Sequence, residues 1–244
     1  MSLQLSFIDA EEATAPTGLE YHPDFLAVAE EDRLLAHIDQ SEWLTDLSRR
    51  IMHFGYKYDY TSRGLDETAR IGPLPEWLTQ LSALIREAAS QQVQQLLDSH
   101  HPFEQAIINE YLPGQGIAPH IDRDCFGPVV ATVSLGSAIN MKFSCHETSY
   151  EYVQCLSPRS LLLFYGDARS KWSHGIAKRR SDTFNGHKAL RQRRVSITFR
   201  TIVPTASIQP SLTASRDTTV GESDQRGIVT ARSCFLTSDP RRLP

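Results

Sequence analysis

The sequence predicts a mainly β protein with flanking helices, built as an antiparallel sandwich or jelly roll. Two observations carry this. Six short β-rich segments follow one another between residues 103 and 202, separated by turn residues. The clearest helical pattern precedes them, over residues 73–100.

Residues 1–18 are mixed in character and expected to be loose. "GLEYHPDFLAVAEEDRLLAHIDQ" (18–40) reads as a short extended entry and then an amphipathic helix. Leu34, Leu35 and Ile38 form its stripe, and acids gather at its start. Residues 48–72 mix aromatics, Arg and Lys with Gly breaks, which predicts short strands and loops. In 73–100, Trp77, Leu78, Leu81, Leu84, Ile85 and Ala88 fit a core-facing stripe, with Pro75 near the start, where proline is tolerated. The predicted strands are 105–111, 128–136, 139–145, 150–156, 160–166 and 194–202. Residues 167–193 read as a long, basic connection, and 204–244 as a disordered tail rich in Ser, Thr, Pro, Gly, Asp and Arg. The folded domain is expected over 19–203, with its β core at about 103–203.

The net charge of −4 excludes a polycation, so a nucleic-acid partner would need a local basic patch. Cys125, Cys145, Cys155 and Cys234 show no CxxC spacing and read as reduced thiols. The N-terminus has no signal-peptide core, and no apolar run reaches membrane-spanning length. A cytoplasmic, soluble monomer with no membrane association is expected. No GxSxG hydrolase elbow is present.

The chemistry concentrates in "PHIDRD" (119–124). On a strand, His120, Asp122 and Asp124 would share one face. His120 and Asp122 offer two neighbouring metal ligands, and His174 in "KWSHGI" is the best third. Two histidines and a carboxylate suit non-haem Fe(II), with positions left open for substrate and O2. Alone, His-x-Asp is weak, because ordinary surface pairs produce it. The company it keeps is stronger. Such centres commonly take 2-oxoglutarate, whose far carboxylate calls for a bidentate Arg. Arg194, Ser196, Thr198 and Arg200 share one parity on the last strand, and Asn109 and Tyr111 share one parity on another.

Taken together, "NEYLPGQGIAPHID…SLG…SLLLFYGDARSKWSHGI…RRVSITFR" resembles the AlkB family of Fe(II)/2-oxoglutarate dioxygenases over about residues 18–203. The resemblance implies a double-stranded β-helix (jelly roll) with an N-terminal nucleotide-recognition lid. It implies Fe(II) at His120, Asp122 and His174. It implies 2-oxoglutarate contacts from Asn109, Tyr111, Arg194, Ser196 and Arg200, with O2 as oxidant. The family often has Asn where this chain has Ser196, whose hydroxyl reaches less far. The implied activity is oxidative demethylation of N-alkylated bases in single-stranded or damaged DNA or RNA, with formaldehyde as the released product.

Four residues are assigned to substrate. In family members that demethylate bases, an acid placed like Asp124 reads the exocyclic amine of the base. A solvated loop acid or a partner for Arg123 is the plainer reading. Tyr56, Tyr58 and Arg63 lie in the aromatic and basic 48–72 segment, where rings stack on a flipped base and cations hold phosphates. Tyr at every second position also describes an ordinary half-buried strand. Two alternatives remain open: the same chemistry on tRNA or a protein side chain, and a non-catalytic nucleic-acid-binding or structural-zinc module.

Overall fold

The computed structural model describes residues 14–45, 47–58, 69–99 and 102–203. The predicted tail, most of the loose N-terminus and Arg63 lie outside them.

The β-rich half folds as predicted, into two facing antiparallel sheets. The larger contains β1 (Leu19–His22), β8 (Ser160–Phe164), β5 (Phe126–Gly136), β12 (Arg194–Ile202), β3 (Gln105–Tyr111) and β2 (Ile51–Phe54), in that order. The smaller runs β4 (Ile117–His120), β9 (Trp172–Ile176), β6 (Ile139–Cys145) and β7 (Glu151–Leu156). Alternation along each strand sorts side chains between two cores. On β12, Val195, Ile197 and Phe199 join β5 residues such as Val133 and Leu135 beneath the helices. The opposite face of the same sheet meets the small sheet, where Val130, Leu162 and Phe164 pack on Met141, Phe143 and Ile176. Arg194, Ser196, Thr198 and Arg200 share that second face.

Helices α1 (Val28–Asp39), α2 (Glu76–Ala88) and α3 (Gln91–Ser99) cover the larger sheet. The predicted single helix over 73–100 is two. The chain turns extended at Ala89 (φ −69°, ψ 150°), and the Ser90 hydroxyl accepts from Val93 N at 3.4 Å, capping α3. The stripe also needs correcting. Leu78, Leu81 and Ile85 are buried, whereas Leu84 is exposed. Trp77 is only half-buried, stacked on His37 and edge-on to Phe54.

The expected long connection at 167–193 is instead structured. It holds α4 (Gly166–Ser170), β9 and a hairpin of β10 (Ser181–Phe184) and β11 (His187–Leu190). The hairpin turn is Asn185-Gly186, both at positive φ (49° and 80°), the conformation an Asn-Gly turn favours. That dipeptide was the legible signal, masked by the basic residues around it.

The hairpin base is held by buried Asp182. Its carboxylate accepts from Arg191 (Nε 2.6 Å, Nη2 3.1 Å), from Arg179 Nε at 2.6 Å and from the Asn140 amide at 3.3 Å. Burial acts to raise the Asp182 pKa, but Arg191 and the other donors outweigh it, and the net direction is down. Asp182→Ala leaves the buried Arg191 guanidinium without its carboxylate and is expected to cost about 3–5 kcal/mol in denaturant unfolding. Because the folded-state pKa lies below the ordinary 3.8, this stability is present above that pH. It is lost as pH falls through the folded value.

Candidate active site

The small sheet brings the metal-type residues together. His120 ends β4 and lies directly opposite His174 on β9, with ring centroids 4.4 Å apart. Asp122 enters from the loop beyond β4, its Oδ2 at 3.7 Å from His174 Nε2. One ligand atom from each of the three lies within 4.8 Å of the others. Among the described residues no other such group of His, Cys, Asp or Glu occurs.

The strand does not run on to Asp124, contrary to the alternation expected. β4 stops at His120, because the carbonyls that follow are taken by a side chain rather than by a neighbouring strand. Buried Arg169 donates from Nη1 to Asp122 O (2.8 Å) and from Nη2 to Arg123 O (2.8 Å) and Phe126 O (3.2 Å). Asp124 is left exposed on the turn, outside the lining of the cleft described below. Nothing local in the sequence marks Arg169, which lies 47 residues from the Asp122 carbonyl it holds. Removing it should release the Asp122 loop. Arg169→Met is expected to weaken Fe(II) affinity by about 10- to 100-fold, measured by metal titration.

Protonation states suit a metal. His120 Nδ1 donates to Ala118 O at 2.9 Å, so Nε2 is left as the acceptor. Burial pushes the His174 pKa down to about 3, so the ring is neutral. Burial acts to raise the Asp122 pKa, but Arg200, His174, His120 and Arg169 together hold it at about 2. Arg200 Nη2 binds Asp122 Oδ1 at 2.7 Å, while the buried Oδ2 has no hydrogen-bond partner among the described residues. An orphaned carboxylate oxygen beside two imidazoles fits a divalent cation. Cys125 adds no thiolate, since burial raises its pKa.

Two spaces adjoin the triad. The inner one, of about 40 Å³, is lined by Asn109, Tyr111, His120, His174, Arg194, Ser196 and Arg200 among others. Arg194 is 1% exposed, and Nη2 donates to Ser134 Oγ at 2.8 Å. Its Nε and Nη1 are buried and unpartnered among the described residues, and its guanidinium lies over the Tyr111 ring at 5.3 Å. Burial lowers its pKa to about 10, so it remains a cation. A buried guanidinium without a carboxylate is expensive unless a ligand completes it, and a dicarboxylic co-substrate fits that need. Arg200 lines both spaces, with one nitrogen already on Asp122.

The outer space is a cleft of about 560 Å³, bounded by Arg49, Tyr58, Asn109, residues 117–123, Phe126 and Arg200. Tyr58 and Phe126 make an aromatic wall, with centroids 5.7 Å apart. Tyr56 is not part of the lining; its carbonyl accepts from Gln105 Nε2 at 3.1 Å.

The profile of the 2OG-Fe(II) oxygenase superfamily matches residues 30–200. The chain belongs to that superfamily. It is therefore a dioxygenase that uses Fe(II), 2-oxoglutarate and O2. Its relatives are AlkB homologues. The "Alkylated DNA repair protein ALKBH8 homolog" of Arabidopsis thaliana is 32% identical over 81% of this chain and 61% of its own length. The "tRNA (carboxymethyluridine(34)-5-O)-methyltransferase alkbh8" of Xenopus tropicalis is 33% identical over 83% of this chain. The chain spans only 35% of that protein. A solved structure titled "The structure of OsALKBH1" superposes with a TM-score of 0.56 at 20% identity. That likeness covers 77% of this chain and 98% of the other, and it supports the jelly-roll fold. No helix among the described residues is long and apolar enough to cross a membrane.

Proposed function

We propose that this oxygenase hydroxylates an alkyl carbon carried on a base of DNA or RNA, removing N-linked methyl groups as formaldehyde. The observation that carries the reading is the orphaned Arg194 guanidinium, buried beside the His120–Asp122–His174 group and next to a cleft with an aromatic wall. The names of the AlkB relatives supply the nucleic-acid direction.

In this reading His120 Nε2, Asp122 Oδ2 and His174 hold Fe(II), and Arg194 receives the far carboxylate of 2-oxoglutarate. Tyr111 and Asn109 flank the co-substrate, and Ser196 offers a hydroxyl. When bound, iron and 2-oxoglutarate activate O2 and leave succinate and CO2. The protein's share is positional. Arg169 fixes the Asp122 loop, Arg200 keeps the carboxylate ionised, and the buried second face of β12 excludes water. A base has to leave its stack to enter the cleft, where Tyr58 and Phe126 form part of the lining and Arg200 lies over the Phe126 ring. Once a hydroxyl replaces one hydrogen of an N-methyl group, the carbinolamine C–N bond breaks, giving formaldehyde and the N–H base.

The test is nucleoside mass spectrometry of methylated single-stranded DNA and RNA, and of bulk tRNA, before and after incubation with the enzyme. Loss or hydroxylation of an alkyl group that requires Fe(II) and 2-oxoglutarate supports the reading. Succinate formation with every nucleoside unchanged refutes it. The tRNA arm has its own motive in the name of the Xenopus relative.

A further inference from the structure

We propose that Arg49 selects the substrate base, and that the cleft takes a base presenting carbonyl oxygens rather than a cationic alkylated base. This rests on the preceding reading that a base enters the cleft.

Arg49 is a fixed donor. It lies just before β2, is only 9% exposed, and still lines the outer cleft. Its Nε donates to Asn109 Oδ1 at 2.8 Å, and its guanidinium sits 5.8 Å from the centre of the Tyr111 ring. The backbone beside it is clamped. Arg50 O accepts from Glu110 N at 3.0 Å, and the Arg50 side chain grips the Glu110 carboxylate with two 2.7 Å bonds. The backbone at Arg49 is thus fixed beside β3, and the Asn109 bond and the Tyr111 ring hold its side chain at the cleft. Among the described residues, neither of its Nη nitrogens has a hydrogen-bond partner and no carboxylate pairs with it.

The charge of the cleft points the same way. Its described lining contains Arg49, Arg123 and Arg200 against a single carboxylate, Asp122. Asp122 already holds Arg200 and belongs to the triad. Among the described residues, no carboxylate pairs with Arg49 or Arg123, and none but Asp122 lines the cleft to receive an exocyclic amine or a positive ring. Asp124, the acid suited to reading an amine, is exposed and outside the lining. A guanidinium has only donors to offer. It is satisfied by carbonyl oxygens, gains nothing from an amine and repels a cation.

A matched pair of bases isolates the effect. 3-Methyluracil and 3-methylcytosine share ring size and the N3-methyl group. They differ at C4, a carbonyl against an amine, and in charge, since the methylcytosine takes up a proton near neutral pH. The experiment uses two single-stranded RNA oligonucleotides differing only at that base. Formaldehyde release is measured with the loaded enzyme, and binding by fluorescence anisotropy on the same holoenzyme without O2. The wild type is expected to prefer 3-methyluracil by about 10- to 100-fold in kcat/KM, with a parallel preference in Kd. Arg49→Gln is expected to bring the ratio close to one by losing 3-methyluracil. Arg49→Lys, which keeps charge but not the fork, should fall between. Equal or better use of 3-methylcytosine by the wild type overturns the proposal while leaving the demethylase reading standing. An unchanged ratio in Arg49→Gln, with both oligonucleotides weakened alike, overturns it in favour of a structural role. Succinate without processing of either base removes the reading on which it rests. If Arg49→Gln does not fold, Arg49→Lys decides, since an unchanged ratio in that variant overturns the proposal.

Discussion

Asp122→Ala is expected to abolish turnover of 2-oxoglutarate and strip the protein of iron. Asp122 is the only carboxylate in the triad, and its removal also frees Arg200, whose side chain is 11% exposed and held to Asp122 Oδ1 at 2.7 Å. A site of two imidazoles and one anion becomes two imidazoles beside an unpaired guanidinium, which repels a divalent cation. The loss exceeds that of one ligand in three, because the replacement field is positive. Asp122→Asn keeps the size and removes the charge, so it should fail nearly as fully. Iron content after anaerobic loading, measured with succinate formation, checks both variants. A variant that lost activity yet held iron as tightly as the wild type would remove Asp122 from the ligand set.

Arg194→Met is expected to divide stability from function. In the absence of 2-oxoglutarate the wild type buries a cation whose Nε and Nη1 have no partner among the described residues. Methionine fills much of the same space without a charge to desolvate, so the variant free of co-substrate should unfold at an equal or higher temperature. Its affinity for 2-oxoglutarate should fall by about 100-fold or more, since charge-assisted hydrogen bonds of about 1.5–3 kcal/mol each are lost. The combination is the diagnostic. A strongly destabilised Arg194→Met would mean the guanidinium is held for structure. An unchanged 2-oxoglutarate affinity, measured by calorimetric titration, would move the co-substrate elsewhere in the inner space.

The β half was legible because its strands obey a simple rule. Along β12, alternation alone separates Val195, Ile197 and Phe199 from Arg194, Ser196, Thr198 and Arg200, and the structure puts these sets on opposite faces. The same parity placed Asn109 and Tyr111 together. Less was legible wherever a long-range contact overrides the local pattern. Alternation past His120 predicted a shared face for Asp124, but Arg169 takes up the backbone there. Continuous helical propensity hid the break at Ser90, where one hydroxyl restarts the helix. Charge in 167–193 read as a long basic connection, although buried Asp182 takes Arg191 into the interior and pairs with the exposed Arg179 as well. Arg49 carried no signal of its own beside Arg50. Only the fold shows that one faces the cleft and the other grips Glu110.

The central claim is that the oxidation at this site is directed at a nucleic-acid base, and the most direct measurement is its stoichiometry. Succinate and formaldehyde are quantified together, with and without an N-methylated single-stranded oligonucleotide, for the wild type and for His120→Ala. The predicted result is formaldehyde in step with the succinate that the oligonucleotide adds, and neither product from the variant. Succinate that is indifferent to the oligonucleotide, with no formaldehyde, would contradict the claim and leave a working oxygenase aimed at another substrate.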